Sequence, residues 1–308
     1  MRVAASTEVS SVTQRVRPMV HAEFQTVFTY SEAMPYEEGI TRRDPSPVIN
    51  VGGTYYVWYS RSVVDASGYH ASIWVAASRD GRRWHEQGEA IPKGGAEAWD
   101  ENGVFTPTTL IAGGTYYLFY TAVPAPFDND DGGPGGTPTA IGVASAESPG
   151  GPWVRFDGNP VLCPGEPGTW DSHRVDDACL IVRGAQFWMY YKGRQKGLSP
   201  AETKMGLAIA DYPTGPYRKH AANPVLDSGH EICVWPHGNG TASIVAPVGP
   251  QGGTIQYAAD GVHFVKQAEV VPPSAPGPYR VDAYADRPWG EGITWGLCQD
   301  VTTTPEWP

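Results

Sequence analysis

The chain has 308 residues, is rich in Gly (37), Pro (29), Trp (11) and Tyr (16), and carries a formal net charge of −11. That charge argues against nucleic acid or an anionic membrane surface as partner, and no apolar run is long enough to span a bilayer. A chain of this size buries a substantial core as one domain, and its glycine, proline and aromatic content suits many short strands joined by tight turns.

Residues 1–20 are polar and aperiodic and read as an N-terminal arm, leaving 21–308 as a single domain. The arm lacks the apolar core of a signal peptide, so the cytoplasm is the expected location. The four cysteines (Cys163, Cys179, Cys233, Cys298) show no C-x-x-C spacing and read as free thiols in a reducing compartment.

His21–Tyr30 is the first strand candidate. Arg42-Arg43-Asp44-Pro45 then leads into Val48-Ile49-Asn50, a Gly52-Gly53 turn, the strand Thr54–Tyr59, a third strand Ser72–Ser78, and an Asp80-Gly81 turn before Trp84. The same succession follows as Val104–Ile111, Gly113-Gly114, Thr115–Tyr120 and Ala140–Ser145. A third copy runs Asp176–Val182, Gly184, Phe187–Tyr191 and Met205–Ala210. A more diverged fourth copy has Glu231–Pro236, Gly240–Val245 and Thr254–Tyr257, and strands at Tyr279–Tyr284 and Gly292–Cys298 follow it.

Four copies plus a tail able to pair with the N-terminal strand predict an all-β, five-bladed β-propeller of four-stranded antiparallel blades. In such a ring the first strand of each blade lines the axis. Asp44, the Thr106 region, Asp176/Asp177, His230/Glu231 and the Arg280/Asp282 region would then converge on one central funnel.

Several carboxyl groups around a funnel suit cleavage of a glycosidic bond, in which one group protonates the leaving oxygen and another activates water. An Asp taken singly is equally at home capping a turn. His230 has an ordinary pKa near neutrality and competes with Glu231 for the role of acid. Trp99, Trp170 and Trp235 stand beside polar residues and are candidate platforms for sugar rings, although most Trp in such a fold serve the core. Thr106, His173, Arg174, Lys192, Arg194 and His237 complete the candidate binding set. The loop Pro124–Pro138, with Asp128, Asp130 and Asp131, lacks the downstream Glu of a calcium loop and reads as a surface lid.

Arg43-Asp44-Pro45, Trp99-Asp100-Glu101-Asn102-Gly103-Val104, Trp170-Asp171-Ser172-His173-Arg174-Val175-Asp176-Asp177 and the stretch from His230-Glu231 to Gly240 resemble glycoside hydrolase family 117. These enzymes are five-bladed propellers related to the arabinan- and xylan-cleaving families, among them family 43. The resemblance implies inverting exo-hydrolysis of α-1,3-linked 3,6-anhydro-L-galactose from the non-reducing end of neoagaro-oligosaccharides such as neoagarobiose. It further implies that Asp44 is the general base, one of Asp176/Asp177 the pKa-modulating carboxylate, and His230 the acid. Glu231 resembles the neighbour that takes the acid's place in related families. Counting back from the Gly turn equates Asp176 with Asp44, whereas a following small residue favours Asp177. Some members carry a divalent cation near the site, for which this sequence offers no clear ligand set, so no metal site is assigned. The helical N-terminal extension that swaps between subunits in that family looks absent here. An α-L-arabinofuranosidase or β-xylosidase, or a sugar-binding propeller without catalysis, are the competing readings.

Overall fold

The computed structural model describes residues 1–5, 24–63, 69–127, 136–280 and 293–301. In chain order the strands begin with β1 (Arg2–Ala5) and β2 (Thr29–Glu32). The first blade holds β3 (Ile40–Arg43), β4 (Ile49–Val51), β5 (Thr54–Val63), β6 (Ser72–Ser78) and β7 (His85–Ile91). The second holds β8 (Gly103–Ala112), β9 (Thr115–Val123), β10 (Ala140–Ala146) and β11 (Val154–Arg155). The third holds β12 (Arg174–Arg183), β13 (Gln186–Arg194), β14 (Lys204–Ala210) and β15 (Arg218–Lys219), with β16 (Leu226–Gly229) pairing to β14. The fourth holds β17 (Cys233–His237), β18 (Gly240–Val245), β19 (Thr254–Ala258) and β20 (Val265–Glu269). β21 (Ser274–Pro278) and β22 (Trp295–Gln299) end the series.

The fold is an all-β propeller. Four blades are each made from one contiguous length of chain, and a further sheet, in the order β2-β1-β22-β21, is assembled from both ends. Two sequence expectations change here. Arg2–Ala5 is not part of a free arm, because it pairs with β2 and β22. Of the strand expected at Tyr279–Tyr284 only Tyr279 and Arg280 are described, and the strand there is Ser274–Pro278; Val48 of the first blade donates to Pro278 O and accepts from Arg280 N, while Tyr279 N donates to Trp295 O. Asp282 and residues 128–135 fall outside the described residues.

Local chemistry explains the blades. Inner strands such as β8 are buried on both faces, threonines included, whereas β7 at the outer edge alternates exposed and half-buried residues. The first hairpin of the first two blades turns on Gly-Gly with both residues at positive φ, the pairing that a two-residue type I′ turn demands. The third blade makes the same turn with Gly184-Ala185, Ala185 standing at φ 61°.

A second repeated device locks neighbouring strands. Trp99 stacks on Tyr120, whose hydroxyl meets Asp100 at 3.4 Å, and Asn159 donates to the same hydroxyl. One blade on, Trp170 stacks on Tyr191, whose hydroxyl donates to Asp171 at 2.9 Å and accepts from Asn223. Arg155 and Lys219 neutralise the two buried aspartates. Each indole lies over a glycine, Gly142 or Gly206, that leaves room for no side chain.

Candidate active site

Seven non-glycine residues among those described have positive φ, and five of these share one position in the fold: Asp44, Thr106, Asp177, Glu231 and Ala275, with φ between 44° and 52°. Each sits at the inner strand of a different sheet, and all five line one funnel. At Thr106, Asp177 and Ala275 the strand pairing slips by a β-bulge. A bulge re-aims a side chain that the regular pleat would send elsewhere. The left-handed backbone costs energy at a non-glycine residue, and such strain clusters at functional sites.

Register distinguishes the paired aspartates by position. Arg43 pairs with Ser60 of β5, Phe105 with Thr121 of β9, and Asp176 with Lys192 of β13. Asp177 is therefore the equivalent of Asp44, and Asp176 the equivalent of Arg43. Counting back from the Gly turn misleads because the first blade's inner strand is broken between β3 and β4 around Pro45 and Pro47, where it takes one more residue.

The carboxylates are held by distinct partners. Asp44 Oδ2 accepts from Arg43 Nε at 2.8 Å and from Ser60 Oγ at 3.2 Å. Asp177 Oδ2 meets Lys192 Nζ at 2.7 Å, and the same ammonium lies 3.4 Å from Asp176 Oδ1. Asp176 is 5% exposed and does not line the funnel; Thr139 Oγ1 donates to its Oδ2. Hydroxyls also brace the bulges, since Thr106 N donates to Ser60 Oγ and Asp177 N to Thr121 Oγ1.

These surroundings push the acids apart. Burial raises the Glu231 carboxyl, and the charge of Asp44 adds to the rise. Burial would also raise Asp177, but the charge and hydrogen bond of Lys192 outweigh it and leave this carboxyl below its ordinary range. Asp176 goes up by burial, against Lys192 and with the repulsion of Asp177. His230 is driven down to about 3 by burial and by Lys192, Arg194 and Arg43, with Asp177 opposing. Its imidazole is thus neutral at physiological pH, with Nε2 4.0 Å from Glu231 Oε1. Carboxyl groups whose environments separate their proton affinities divide into acid and base.

A family model, glycosyl hydrolases family 43, matches residues 39–177. A solved structure, Zg3597, a family 117 glycoside hydrolase from the marine bacterium Zobellia galactanivorans, is 34% identical over 87% of this chain and 82% of that one, with a TM-score of 0.77. The chain belongs to glycoside hydrolase family 117. Two more distant structures share its fold. They are fructan 1-exohydrolase IIa of Cichorium intybus (14% identity, 82% of this chain, 52% of that one, TM-score 0.58) and the β-fructofuranosidase BmSUC1 of Bombyx mori (15%, 73%, 48%, 0.54). Comparison with curated proteins gives no match. A glycosidase of this family acts on an oligosaccharide, and no described helix is long and apolar enough to cross a membrane.

The remaining candidates in this family 117 chain divide. Thr106 lines the funnel. Arg174 and Arg194 are buried, and their charges act on Asp176. His173 is buried at the mouth of β12, its backbone tied to Arg194 and Thr139. Trp99 and Trp170 stack on Tyr120 and Tyr191 in the Trp–Tyr locks described above and do not line the funnel. Trp235 is buried in the fourth blade's core, and His237 stacks on Phe24 with ring centroids 4.4 Å apart, so neither lines the funnel.

A divalent cation does not fit. Among the described residues no group of three His, Cys, Asp or Glu could hold one, and Lys192 takes the place between Asp176 and Asp177. Sequence reasoning missed Ser60 and Thr121, although both follow the strand tyrosines Tyr59 and Tyr120 as Lys192 follows Tyr191. It also missed Ala275, Cys179 and Cys233 in the funnel wall. Arg280, part of the expected axis, is 5% exposed and donates to the carbonyls of Val234 and Leu180, tying two inner strands together across the funnel floor.

Proposed function

We propose that this chain is an inverting, exo-acting glycosidase that releases 3,6-anhydro-L-galactose from the non-reducing end of neoagaro-oligosaccharides, neoagarobiose being the simplest. Asp44 acts as general base, its Oδ2 pinned so that Oδ1 can take a proton from the attacking water. Glu231 acts as general acid, and Asp177 with Lys192 sets the charge around it. The sheet assembled from both chain ends serves as the fifth blade, carrying Ala275 into the funnel. The free thiols fit a reducing compartment, and we assign the enzyme to the cytoplasm.

The observation that carries this reading is one funnel lined by Asp44, Asp177 and Glu231, each on an equivalent strained position, with Glu231 inclined to hold its proton and Asp177 to lose it. His230, held neutral, has no proton to give a leaving oxygen near neutral pH, so we assign that role to Glu231 rather than His230.

The same observation favours a second reading, a propeller glycosidase acting on another sugar such as an α-L-arabinofuranoside or β-xyloside, whose acid is a Glu. Incubation with neoagarobiose, neoagarotetraose and aryl α-L-arabinofuranosides and β-xylosides separates the two. Release of anhydrogalactose by the wild type and not by Asp44→Asn supports the first. Turnover of the aryl glycosides alone supports the second.

A further inference from the structure

Beside the carboxylates lies a stack that the glycosidase reading leaves unexplained. Tyr69 and Phe127 come from loops of the first and second blades, and their rings are parallel, with centroids 3.9 Å apart at 18°. The guanidinium of Arg43 lies 4.7 Å from the Tyr69 centroid and that of Arg174 4.5 Å from the Phe127 centroid. Each ring has two faces, and the ring–ring contact occupies one of each. The order across the rim is therefore guanidinium, phenol, phenyl, guanidinium.

The two cations are the residues that flank the acids. Arg43 pairs with Asp44 at 2.8 Å and is 5% exposed. Arg174 opens the strand that carries Asp176 and Asp177, and it is 2% exposed. Phe105, T-shaped to Tyr69 with centroids 5.4 Å apart, and Ala71 and Val123 wall the stack on the second-blade side. Gly103 lets the Tyr69 backbone approach so closely that a Cβ there would lie 2.3 Å from the Tyr69 carbonyl.

Neighbouring side chains on a regular strand point to opposite faces, so the Arg43–Asp44 contact exists only because of the left-handed turn at Asp44. A flexible guanidinium bonded to the next residue's carboxylate needs support from elsewhere to stay in one rotamer. An aromatic face supplies it, since a desolvated cation–π contact is worth as much as a good hydrogen bond.

We infer that Arg43, Tyr69, Phe127 and Arg174 form a cation–π column in which Tyr69 and Phe127 are positioning residues, holding the Arg43 guanidinium against Asp44. The column acts through Arg43 and touches no substrate; its catalytic consequence rests on Asp44 being a reacting group.

The test reads Arg43 directly. In the full chain the Arg43 Nε–H signal, assigned by its loss in Arg43→Lys, is followed by 1H–15N NMR together with steady-state kinetics. Slow Nε–H exchange is expected in the wild type, Tyr69→Phe and Phe127→Tyr. Tyr69→Leu and Phe127→Leu, confirmed folded by near-ultraviolet circular dichroism, should exchange at least tenfold faster. Their kcat should fall about tenfold with KM within twofold. Unchanged exchange in both Leu variants overturns the column, as does a loss in Tyr69→Phe equal to that in Tyr69→Leu. Phe127→Leu carries the test should Tyr69→Leu not fold. Failure of the wild type to cleave any tested sugar would defeat the glycosidase reading and leave the exchange measurement standing.

Discussion

Lys192 Nζ lies 2.7 Å from Oδ2 of Asp177, a residue of the funnel wall. Both side chains are largely shielded from water, at 15% and 13% exposure, and burial alone would discharge each of them. Their mutual attraction reverses that tendency, with Asp176 adding to it from 3.4 Å. Removing one partner of a buried pair leaves an uncompensated charge, a change that typically costs about 3–5 kcal/mol. Lys192→Met is therefore expected to lower stability by about that amount in urea unfolding. Adding Asp177→Asn to Lys192→Met should recover part of the loss. A simple sum of the two single effects would count against the pairing.

Glu231 and His230 make opposite predictions. A general acid contributes about 10²- to 10⁴-fold to rate. Glu231→Gln should lose activity on that scale, while His230→Gln should keep it within about tenfold. Because burial and Asp44 raise the Glu231 carboxyl, its proton is retained above the ordinary carboxylate range. Activity in the wild type should fall as pH rises through that elevated value. The pH–rate profile of kcat/KM checks this, and an alkaline limb that survives in Glu231→Gln would refute it.

His230 also leaves a mark on stability. Its folded pKa of about 3 lies below the value of about 6.5 expected in the unfolded chain. Between those values the unfolded state binds the proton and the folded state does not, so this group's contribution favours folding above about pH 6.5 and is lost as pH falls toward 3. The drop in Tm between pH 7.5 and 5 should thus be smaller in His230→Gln than in the wild type. Equal drops would show that His230 is not held neutral.

The Trp–Tyr locks predict steep costs for a single methyl. A Cβ at position 206 would fall 2.5 Å from Tyr191 and 2.7 Å from Trp170, and one at 142 would fall 2.6 Å from Trp99. Gly206→Ala and Gly142→Ala should each destabilise by about 1–3 kcal/mol through overpacking. Gly95→Ala, where nothing stands within 4 Å, is the control and should change stability by less than about 0.5 kcal/mol. Chemical denaturation of the three variants decides the point.

Much of the fold was legible. The recurring Gly-Gly turns at 52–53 and 113–114, the aromatic strands after them and the repeated Asn-Pro-Val-Leu at 159–162 and 223–226 marked the units, because turn chemistry and strand patterning are local. The contribution of Arg2–Ala5 to a sheet was not, since pairing with β22 depends on a partner at the other end of the chain. The Trp residues misled for a related reason. Trp99 and Trp170 do adjoin polar residues in sequence, but the direction in which an indole faces is set by the strand packed against it.

The sequence by itself determined that acids would stand at the start of the inner strands of the first, third and fourth blades, and it named Asp44, Asp176, Asp177, His230 and Glu231. Only the tertiary structure decided which of each adjacent pair faces the funnel. Asp44, Asp177 and Glu231, each at a left-handed turn, line the funnel, whereas Asp176 and His230 do not. Neighbouring residues in a strand differ by which face they occupy, and a bulge of one residue exchanges the faces. A count along the chain cannot see that slip, whereas the pairing of Arg43 with Ser60 and of Asp176 with Lys192 makes it plain.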